Sequence, residues 1–301
     1  MSETAWPVKQ REFHNHHFDS TIWNDFSFRD DDIIIGTYAK SGTTWMQQIV
    51  SQLVFDGAEG INVAELSPWV DMRVPPKEEK LAGLEAQTHR RFMKTHLPTD
   101  ALVISPMAKY LYIVRDGRDV LWSMYNHHAN ASEILYKLVN ESPGLVGTPF
   151  PPCTWDVHEY FRMWLAEDGG FWWSFWENIR TWWAIRDLPN IQFVHFENLR
   201  TDLSGEMQKI AAFLDVQFDE SRWDTIVEHC TFDYMKKHAA LVAPLGGIVF
   251  KGGGETFINK GTNGRWRETL TLEDVENYKR TAVEQLGEDC ANWVMNGGAL
   301  P

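Results

Sequence analysis

The chain has 301 residues, of which 44% are apolar, so it is long enough for one large α/β domain, which we expect to span residues 1–301. Its formal charge of −14 argues against nucleic acid as a partner and against a basic membrane-binding face. Three scattered cysteines favour a reducing compartment, and the N-terminus lacks an apolar signal-peptide core. No run approaches the ~18 apolar residues of a membrane span. We therefore expect a cytoplasmic protein without a membrane span.

Residues 1–31 predict an N-terminal arm that packs on the domain through four aromatic side chains, Trp6, Phe18, Trp23 and Phe26. Three histidines crowd together in this arm, namely His14, His16 and His17. The polar residues around them favour solvent-exposed imidazoles over metal ligands, and the sequence shows no other cluster of metal ligands. We therefore expect no bound metal.

A strand, a short polar loop and a helix follow one another within residues 32–54. The β-branched run 33–35 predicts a buried strand, and apolar residues at helical spacing from Trp45 onward predict a helix. Backbone N–H groups at a helix N-terminus and the helix dipole both favour an anion, so the loop predicts a phosphate or sulfate site. It is not a Walker A motif, because Lys40 precedes Gly42 and the opening glycine is missing.

A second predicted strand ends in Lys94-Thr95-His96, and Pro98 stops it. Unperturbed imidazole has a pKa of ~6.5 and can accept a proton near neutral pH. A lone histidine is nonetheless usually a structural or surface residue, so this property alone does not assign a role to His96.

A third predicted strand, residues 110–115, ends in Arg115 and leads into another helix. The guanidinium fork presents paired donors that match phosphate oxygens, which makes Arg115 a candidate phosphate ligand. Arg118 and Asp119, at the start of that helix, are expected to be solvent-exposed charges.

The second half of the chain alternates irregular segments with apolar elements. Residues 129–170 contain several prolines and glycines without clear periodicity, and residues 239–256 are rich in glycine, so both segments are candidate lids. Residues 171–186 predict a tryptophan-rich helix, residues 191–199 a core strand, and residues 203–214 a further helix.

Four blocks of the sequence resemble, in the same order, the motifs of the cytosolic sulfotransferases, which use 3′-phosphoadenylyl sulfate (PAPS). The blocks are Thr37-Tyr38-Ala39-Lys40-Ser41-Gly42-Thr43-Thr44-Trp45, Lys94-Thr95-His96-Leu97-Pro98, the spacing from Arg115 to Ser123, and Lys260-Gly261 followed by Gly264 and Trp266. The resemblance covers roughly residues 30–290. It implies a P-loop-NTPase-like three-layer α/β fold with a central parallel sheet flanked by helices.

The resemblance also implies roles for the matching residues. His96 is expected to be the general base, Lys40 and Lys94 to stabilise charge on the transferred sulfuryl group, and Ser123 to restrain Lys40. The residues expected to hold the cofactor are Lys40, Ser41, Gly42, Thr43, Thr44, Trp45, Arg115, Ser123, Phe196, Thr231, Phe232, Asn259, Lys260 and Gly261. The residues expected around the acceptor are Trp69, Lys94, His96 and Trp155.

Four positions depart from the family's pattern. Ala39 stands in place of proline, Phe196 in place of tyrosine, Cys230 in place of threonine and Asn259 in place of arginine. The last change removes one charged contact to the 3′-phosphate of the cofactor, for which Arg265 or Arg267 could compensate.

The sequence therefore predicts transfer of a sulfuryl group from PAPS to a hydroxyl of a small apolar or aromatic acceptor, by in-line displacement, with adenosine 3′,5′-bisphosphate (PAP) as the second product. A P-loop-type kinase and a non-catalytic nucleotide-binding protein of the same fold remain as alternatives. A loose match to the family's dimer motif at residues 267–276 makes a homodimer a further hypothesis.

Overall fold

The computed structural model describes residues 6–301, and within them four parallel strands form the central sheet. The strands are β1 (Ile33–Thr37), β2 (Phe92–Thr95), β3 (Lys109–Val114) and β4 (Ile191–His195). Their spatial order is β2-β1-β3-β4, and every neighbouring pair is parallel. The predicted α/β fold with a central parallel sheet is confirmed.

Helices connect the strands and cover both faces of the sheet. Within the described residues the α-helices are α1 (Thr43–Val54), α2 (Val63–Leu66), α3 (Lys77–Glu85), α4 (Gly117–Ala129), α5 (Glu133–Asn140), α6 (Val157–Ala166), α7 (Phe175–Trp183), α8 (Phe196–Thr201), α9 (Leu203–Leu214), α10 (Trp223–His229), α11 (Phe232–Lys237), α12 (Ala239–Val242), α13 (Gly253–Phe257), α14 (Leu272–Leu286) and α15 (Glu288–Asn296). Short 3-10 turns lie at Ser20–Asn24, Thr99–Ala101, Glu220–Arg222, Pro244–Gly247 and Arg265–Glu268.

The side chains of β1 alternate between two hydrophobic cores, one on each face of the sheet. Ile34 packs in one core with Tyr112, and Ile33 and Ile35 pack in the other with Ile49 of α1. All five side chains are fully buried. A strand covered on both faces has no polar side to expose, which explains the unbroken apolar run in the sequence.

The first two strands begin and end together. At their start, the buried Arg91 guanidinium donates to both carboxylate oxygens of the buried Asp32, at 2.7 and 2.6 Å. At their end, Gly36 pairs with Thr95. This register sets the loop after β1 directly beside the residues that follow β2, and a crevice at the carboxyl ends of parallel strands is where α/β proteins bind ligands.

Gly36 allows α7 to pack closely on β1. A Cβ atom at this position would lie 2.5 Å from the indole of Trp182. The same indole stacks on Tyr112 at 4.8 Å and donates from Nε1 to the carbonyl oxygen of Leu97 at 3.0 Å. The contact holds the segment just after β2 against the sheet.

Two predicted elements have different bounds from those expected. The tryptophan-rich helix begins at Phe175 rather than at residue 171, because Ser174 Oγ caps it by accepting from Glu177 N at 2.9 Å. The strand predicted over residues 191–199 ends at His195, whose ring caps α8 by accepting from the Glu197 N–H at 3.1 Å. The helix predicted over residues 203–214 is confirmed as α9.

The two segments predicted as irregular contain secondary structure. Residues 129–170 include α5 and α6, and α6 starts with a capping box between Asp156 and Glu159, a signal that the sequence analysis overlooked. Residues 239–256 include α12 and most of α13. The two segments also pair with each other, since Ser132 N donates to the Val249 carbonyl oxygen at 3.0 Å.

In the N-terminal arm, Phe18, Trp23 and Phe26 are buried; the first five of its residues lie outside the described part of the chain. The expected exposure of the histidines was wrong for two of the three. His16 and His17 are buried among aromatic rings contributed by residues 150–173, whereas His14 is exposed.

Arg118 and Asp119 are also buried, contrary to the prediction. The Arg118 guanidinium pairs with Asp116 at 2.7 Å and lies 3.9 Å over the ring of Trp266. Asp119 accepts from Gly264 N at 2.7 Å. These charges therefore fasten the segment around residues 264–266 to the start of α4.

The three cysteines, Cys153, Cys230 and Cys290, are free thiols. Within residues 6–301, no helix is both long enough and apolar enough to cross a membrane. The same residues contain no group of three or more His, Cys, Asp or Glu side chains placed to hold a metal ion.

Candidate active site

A cavity of about 850 Å³ lies at the carboxyl ends of the strands. One part of its wall carries hydroxyls and positive charges, among them Lys40, Thr43, Thr44, Arg115, Ser123 and Lys260. The other part is mainly aromatic and aliphatic, with Trp69, Met72, Leu135, Leu138, Trp172, Trp173 and Phe250. Such a cavity suits a ligand that has an anionic portion and an apolar portion.

The loop between β1 and α1 has the backbone form of an anion site. Gly42 is the N-cap of α1 with a left-handed φ of 115°, and no described side chain caps this helix. The first-turn N–H groups therefore remain available to a ligand. Gly42 is also required by space, since a Cβ would lie 2.7 Å from Ile113 and 2.9 Å from Phe196.

Lys40 adopts a left-handed φ of 65° next to this loop, and its ammonium group lies 4.0 Å over the ring of Phe257. Desolvation in the cavity, with smaller contributions from Arg115 and Lys94, lowers the pKa of Lys40 to about 7. Lys40 and Ser123 line a common void of about 20 Å³, which is large enough for one water molecule.

Arg115 joins the sheet to the C-terminal part of the cavity wall. Its Nε and Nη2 donate to Asn263 Oδ1 at 2.8 and 2.6 Å, and its guanidinium lies 4.2 Å over the Phe196 ring. Asn263 in turn donates to Glu197 at 2.6 Å. The charge of Arg115 is thus held at the cavity by Asn263 and by two residues of α8.

Residues 259–265 complete the basic wall. Asn259 accepts from Arg265 Nη1 at 3.2 Å, and the Arg265 guanidinium lies 4.0 Å over the ring of Trp122. Asn259, Lys260, Gly261 and Arg265 all line the cavity. The structure therefore brings a guanidinium to the wall beside Asn259, although the sequence has no arginine at position 259.

Aromatic rings lie next to the basic wall. Trp45 meets Phe196 edge to face at 5.1 Å and donates from Nε1 to the Cys230 carbonyl oxygen at 2.7 Å. Phe232 packs over Gly261, where a Cβ would lie 2.4 Å from the ring. Trp45, Phe196, Thr231 and Phe232 line the cavity, and the three aromatic rings among them offer surfaces on which a purine can pack.

His96 lies directly after β2, in the wall between the polar and the apolar parts of the cavity. Its Nδ1 lies 2.7 Å from the Thr37 carbonyl oxygen, and the side-chain amide of Asn178 donates to the backbone carbonyl oxygen of His96 at 3.0 Å. Because a carbonyl oxygen can only accept, Nδ1 carries the proton and Nε2 of the neutral ring is an acceptor. Burial, followed by the charge of Lys94, lowers the pKa of His96 to about 3.

Lys94 and Trp69 flank His96. Trp69 meets the imidazole edge to face at 4.6 Å, and its Nε1 donates to the buried Asp71 at 2.7 Å. Lys94 Nζ lies 3.4 Å from Gln47 Oε1, and burial lowers the pKa of this lysine to about 8. A base and two lysines therefore face the same space.

Two predicted site residues do not line the cavity. Ser41 is 2% exposed and lies beneath the loop. Trp155 stacks on Phe171 at 5.2 Å, within the aromatic cluster behind the wall.

Sequence reasoning missed many residues that line the cavity, among them His17, Gln47, His127 and Phe257. Gln47 had a usable signal, because it lies four residues after Thr43 on the same face of α1. The other three reach the cavity through long-range packing, for which the local sequence carries no signal.

Comparison with known proteins agrees with this geometry. A family profile described as "Sulfotransferase domain" matches residues 30–289. A glycolipid sulfotransferase of Mycobacterium bovis (strain BCG / Pasteur 1173P2) is 31% identical over 305 residues, which cover 93% of this chain and 92% of that protein. Sulfotransferase 1C2 of Rattus norvegicus is 29% identical over 279 residues, covering 90% of this chain and 88% of that protein.

Solved structures share the fold. Mouse sulfotransferase SULT7A1 complexed with PAP superposes with a TM-score of 0.70 at 22% identity, over 91% of each chain. Retinol dehydratase in a complex with retinol and PAP has a TM-score of 0.69 at 23% identity, over 89% of this chain and 84% of that chain.

Proposed function

The chain belongs to the sulfotransferase family and is a PAPS-dependent enzyme, and from that premise we propose which residues carry the reaction and what kind of acceptor it takes. The observation that carries the proposal is the setting of His96. Its Nδ1–H is held by the Thr37 carbonyl while Nε2 is left as an acceptor between Lys94 and Trp69.

The residues of the polar part fit the cofactor. The uncapped N-terminus of α1 and Lys40 suit the phosphosulfate, Arg115 and Arg265 suit the 3′-phosphate, and the rings near Trp45 suit the adenine. Gly42 and Gly261 leave the space that a Cβ would fill. When bound, PAPS supplies the sulfuryl group that the acceptor receives.

We assign the proton transfer to Nε2 of His96, which takes the proton of the acceptor hydroxyl. The charges of Lys40 and Lys94 contribute to the low pKa of His96 in the free protein. An anion between the two lysines offsets that contribution, so the proton affinity of His96 rises when the cofactor is present. Lys40 and Lys94 stabilise the negative charge that develops on oxygen, and Ser123 restrains Lys40.

The apolar part of the cavity favours an acceptor with a large hydrophobic body and a hydroxyl group. The two paired segments, residues 129–170 and 239–256, contribute part of its wall through Leu135, Leu138 and Phe250, and we propose that they act as lids. The mycobacterial relative is named a glycolipid sulfotransferase, and a molecule of that class has a long apolar portion.

The first experiment is calorimetric titration with PAP beside ADP, without added metal. We expect PAP to bind much more tightly than ADP, because Arg115 and Arg265 offer charge to a 3′-phosphate. Equal binding of the two nucleotides would contradict the assigned 3′-phosphate site.

The second experiment tests the base. His96→Gln is expected to lower kcat by ~10²–10⁴-fold while the Kd for PAP stays close to that of the wild type. The exposed His158→Gln on α6 is the matched control and should retain wild-type kcat. A His96→Gln variant with wild-type kcat would refute the assignment.

We also propose a homodimer and a reducing, cytoplasmic location. Leu272, at the start of α14 within the segment 267–276, is 87% exposed, which suits a contact with a second copy. Light scattering should give the mass of a dimer for the wild type and of a monomer for Leu272→Glu. The free thiols support the location, and fractionation of the native cells tests it.

A further inference from the structure

The apolar part of the cavity contains a second imidazole that the reaction above does not use. His17 is 4% exposed and lines the cavity. Its ring stacks near Trp69, with centroids 6.1 Å apart, and lies 5.5 Å from the ring of Trp172. His96 packs edge to face against the same Trp69, with ring centroids 4.6 Å apart. The two histidines thus share one wall.

A hydrogen-bonded relay determines which nitrogen of His17 carries its proton. His16 Nε2 lies 2.8 Å from the carbonyl oxygen of Phe171, which can only accept, so Nε2 of His16 is protonated. In the neutral ring, Nδ1 of His16 is then a bare acceptor, and its partner is Nδ1 of His17. His17 therefore donates from Nδ1, and its Nε2 is left without a proton.

Nothing among the described residues satisfies that nitrogen. Nε2 of His17 has no hydrogen-bond partner within residues 6–301, although the ring is almost wholly enclosed. Burial, with contributions from His16 and Arg73, lowers the pKa of His17 well below its usual value, so the ring stays neutral at pH 7. His96 and His17 thus each present a bare imidazole nitrogen to the cavity.

We propose that Nε2 of His17 accepts a hydrogen bond from a second hydroxyl of the acceptor, so that the enzyme selects amphiphiles that combine an apolar chain with a polyhydroxylated head group. The inference rests on the proposed function, since His96 must bind the reacting hydroxyl. A simple alcohol has one O–H donor and offers no partner to Nε2 of His17, whereas a sugar-like head group can donate to both nitrogens.

The test compares dodecyl glucoside with dodecanol as acceptors. The wild type should favour the glucoside in kcat/KM by ~10- to 100-fold, the range expected when a buried acceptor is left unpaired. His17→Phe, which keeps an aromatic ring, should lose most of that preference through a higher KM for the glucoside, while its affinity for PAP stays unchanged. His14→Gln, an exposed histidine of the same arm, is the matched control.

A measurement on the wild type separates this inference from the proposed function. With ¹⁵N-labelled histidine, NMR should show His17 protonated at Nδ1 and His16 at Nε2, and dodecyl glucoside should shift the Nε2 resonance of His17. The opposite tautomers, an unmoved resonance, or an unchanged preference in His17→Phe would overturn the role of His17. Failure to bind PAP would instead overturn the proposed function and would leave the NMR result to decide on His17.

Discussion

Lys40 makes cofactor binding depend on pH in a way that the structure predicts. Its pKa in the free protein is about 7, because desolvation in the cavity and the charges of Arg115 and Lys94 disfavour the ammonium form. An anionic cofactor beside Lys40 raises that pKa, so binding takes up a proton. The affinity for the cofactor is therefore highest below the pKa of Lys40 in the free protein. It falls as the pH rises above that value and levels off above the pKa of Lys40 in the complex.

The size of the effect follows from the two lysines. Lys40 has a free-state pKa of about 7 and stays charged in the complex, so raising the pH from about 7 to about 9 weakens the binding of PAP ~50-fold. Lys94, with a pKa of about 8, adds a further ~10-fold. The phosphates of PAP, whose second pKa is ~6, contribute little in this range.

Calorimetric titration with PAP across this range, repeated in buffers of different ionisation enthalpy, measures both the affinity and the protons taken up. Lys40→Arg is the matched variant, since its guanidinium stays charged and only the ~10-fold dependence from Lys94 should remain. Lys40→Met should bind more weakly at every pH, with the same shallow dependence. A wild-type affinity that stays constant from about pH 7 to about pH 9 would refute the reasoning.

Three further predictions concern packing and burial. Gly36→Ala should lower the free energy of unfolding in urea by ~1–3 kcal/mol, because its Cβ would lie 2.5 Å from the indole packed on β1. The control Gly83→Ala, in open space on α3, should not lower it. Equal urea midpoints for the two variants would contradict the prediction. Gly261→Ala should weaken PAP binding, because its φ is 63° and a Cβ would displace the Phe232 ring from the cavity wall; unchanged affinity in the titration would count against the assigned wall. Burial lowers the pKa of His128 to about 4, so below about pH 6.5 the unfolded chain binds a proton at this residue that the folded protein does not bind. The free energy of unfolding should therefore fall by up to ~3 kcal/mol as the pH drops from about 6.5 to about 4. His128→Gln should show a shallower pH dependence of the urea midpoint, and a slope equal to that of the wild type would argue against this reasoning.

Much of the polar part of the site could be predicted from the sequence because its signals are local. The β-branched run of β1, the loop with Lys40 and the helical periodicity after Trp45 lie within a few residues of one another. The N–H groups of an uncapped helix N-terminus favour an anion, and they belong to the local backbone, so this part of the site could be predicted from adjacent residues.

The guanidinium near Asn259 shows an intermediate case. The sequence indicated that a charge was missing and offered Arg265 or Arg267 as replacements. Only the structure distinguishes them, because the 3-10 turn that starts at Arg265 directs this side chain onto Trp122 and into the cavity wall.

The α/β sheet, the anion loop and the position of His96 after a strand could all be predicted from the sequence, since each depends on periodicity or on the chemistry of adjacent residues. Which polar side chains are buried depends instead on tertiary packing. His16 and His17 belong to a polar stretch, yet aromatic rings contributed by residues 150–173 cover them and exclude water. Burial is set by the whole of the packed core, and the proton positions that make His17 a candidate acceptor follow from that packing.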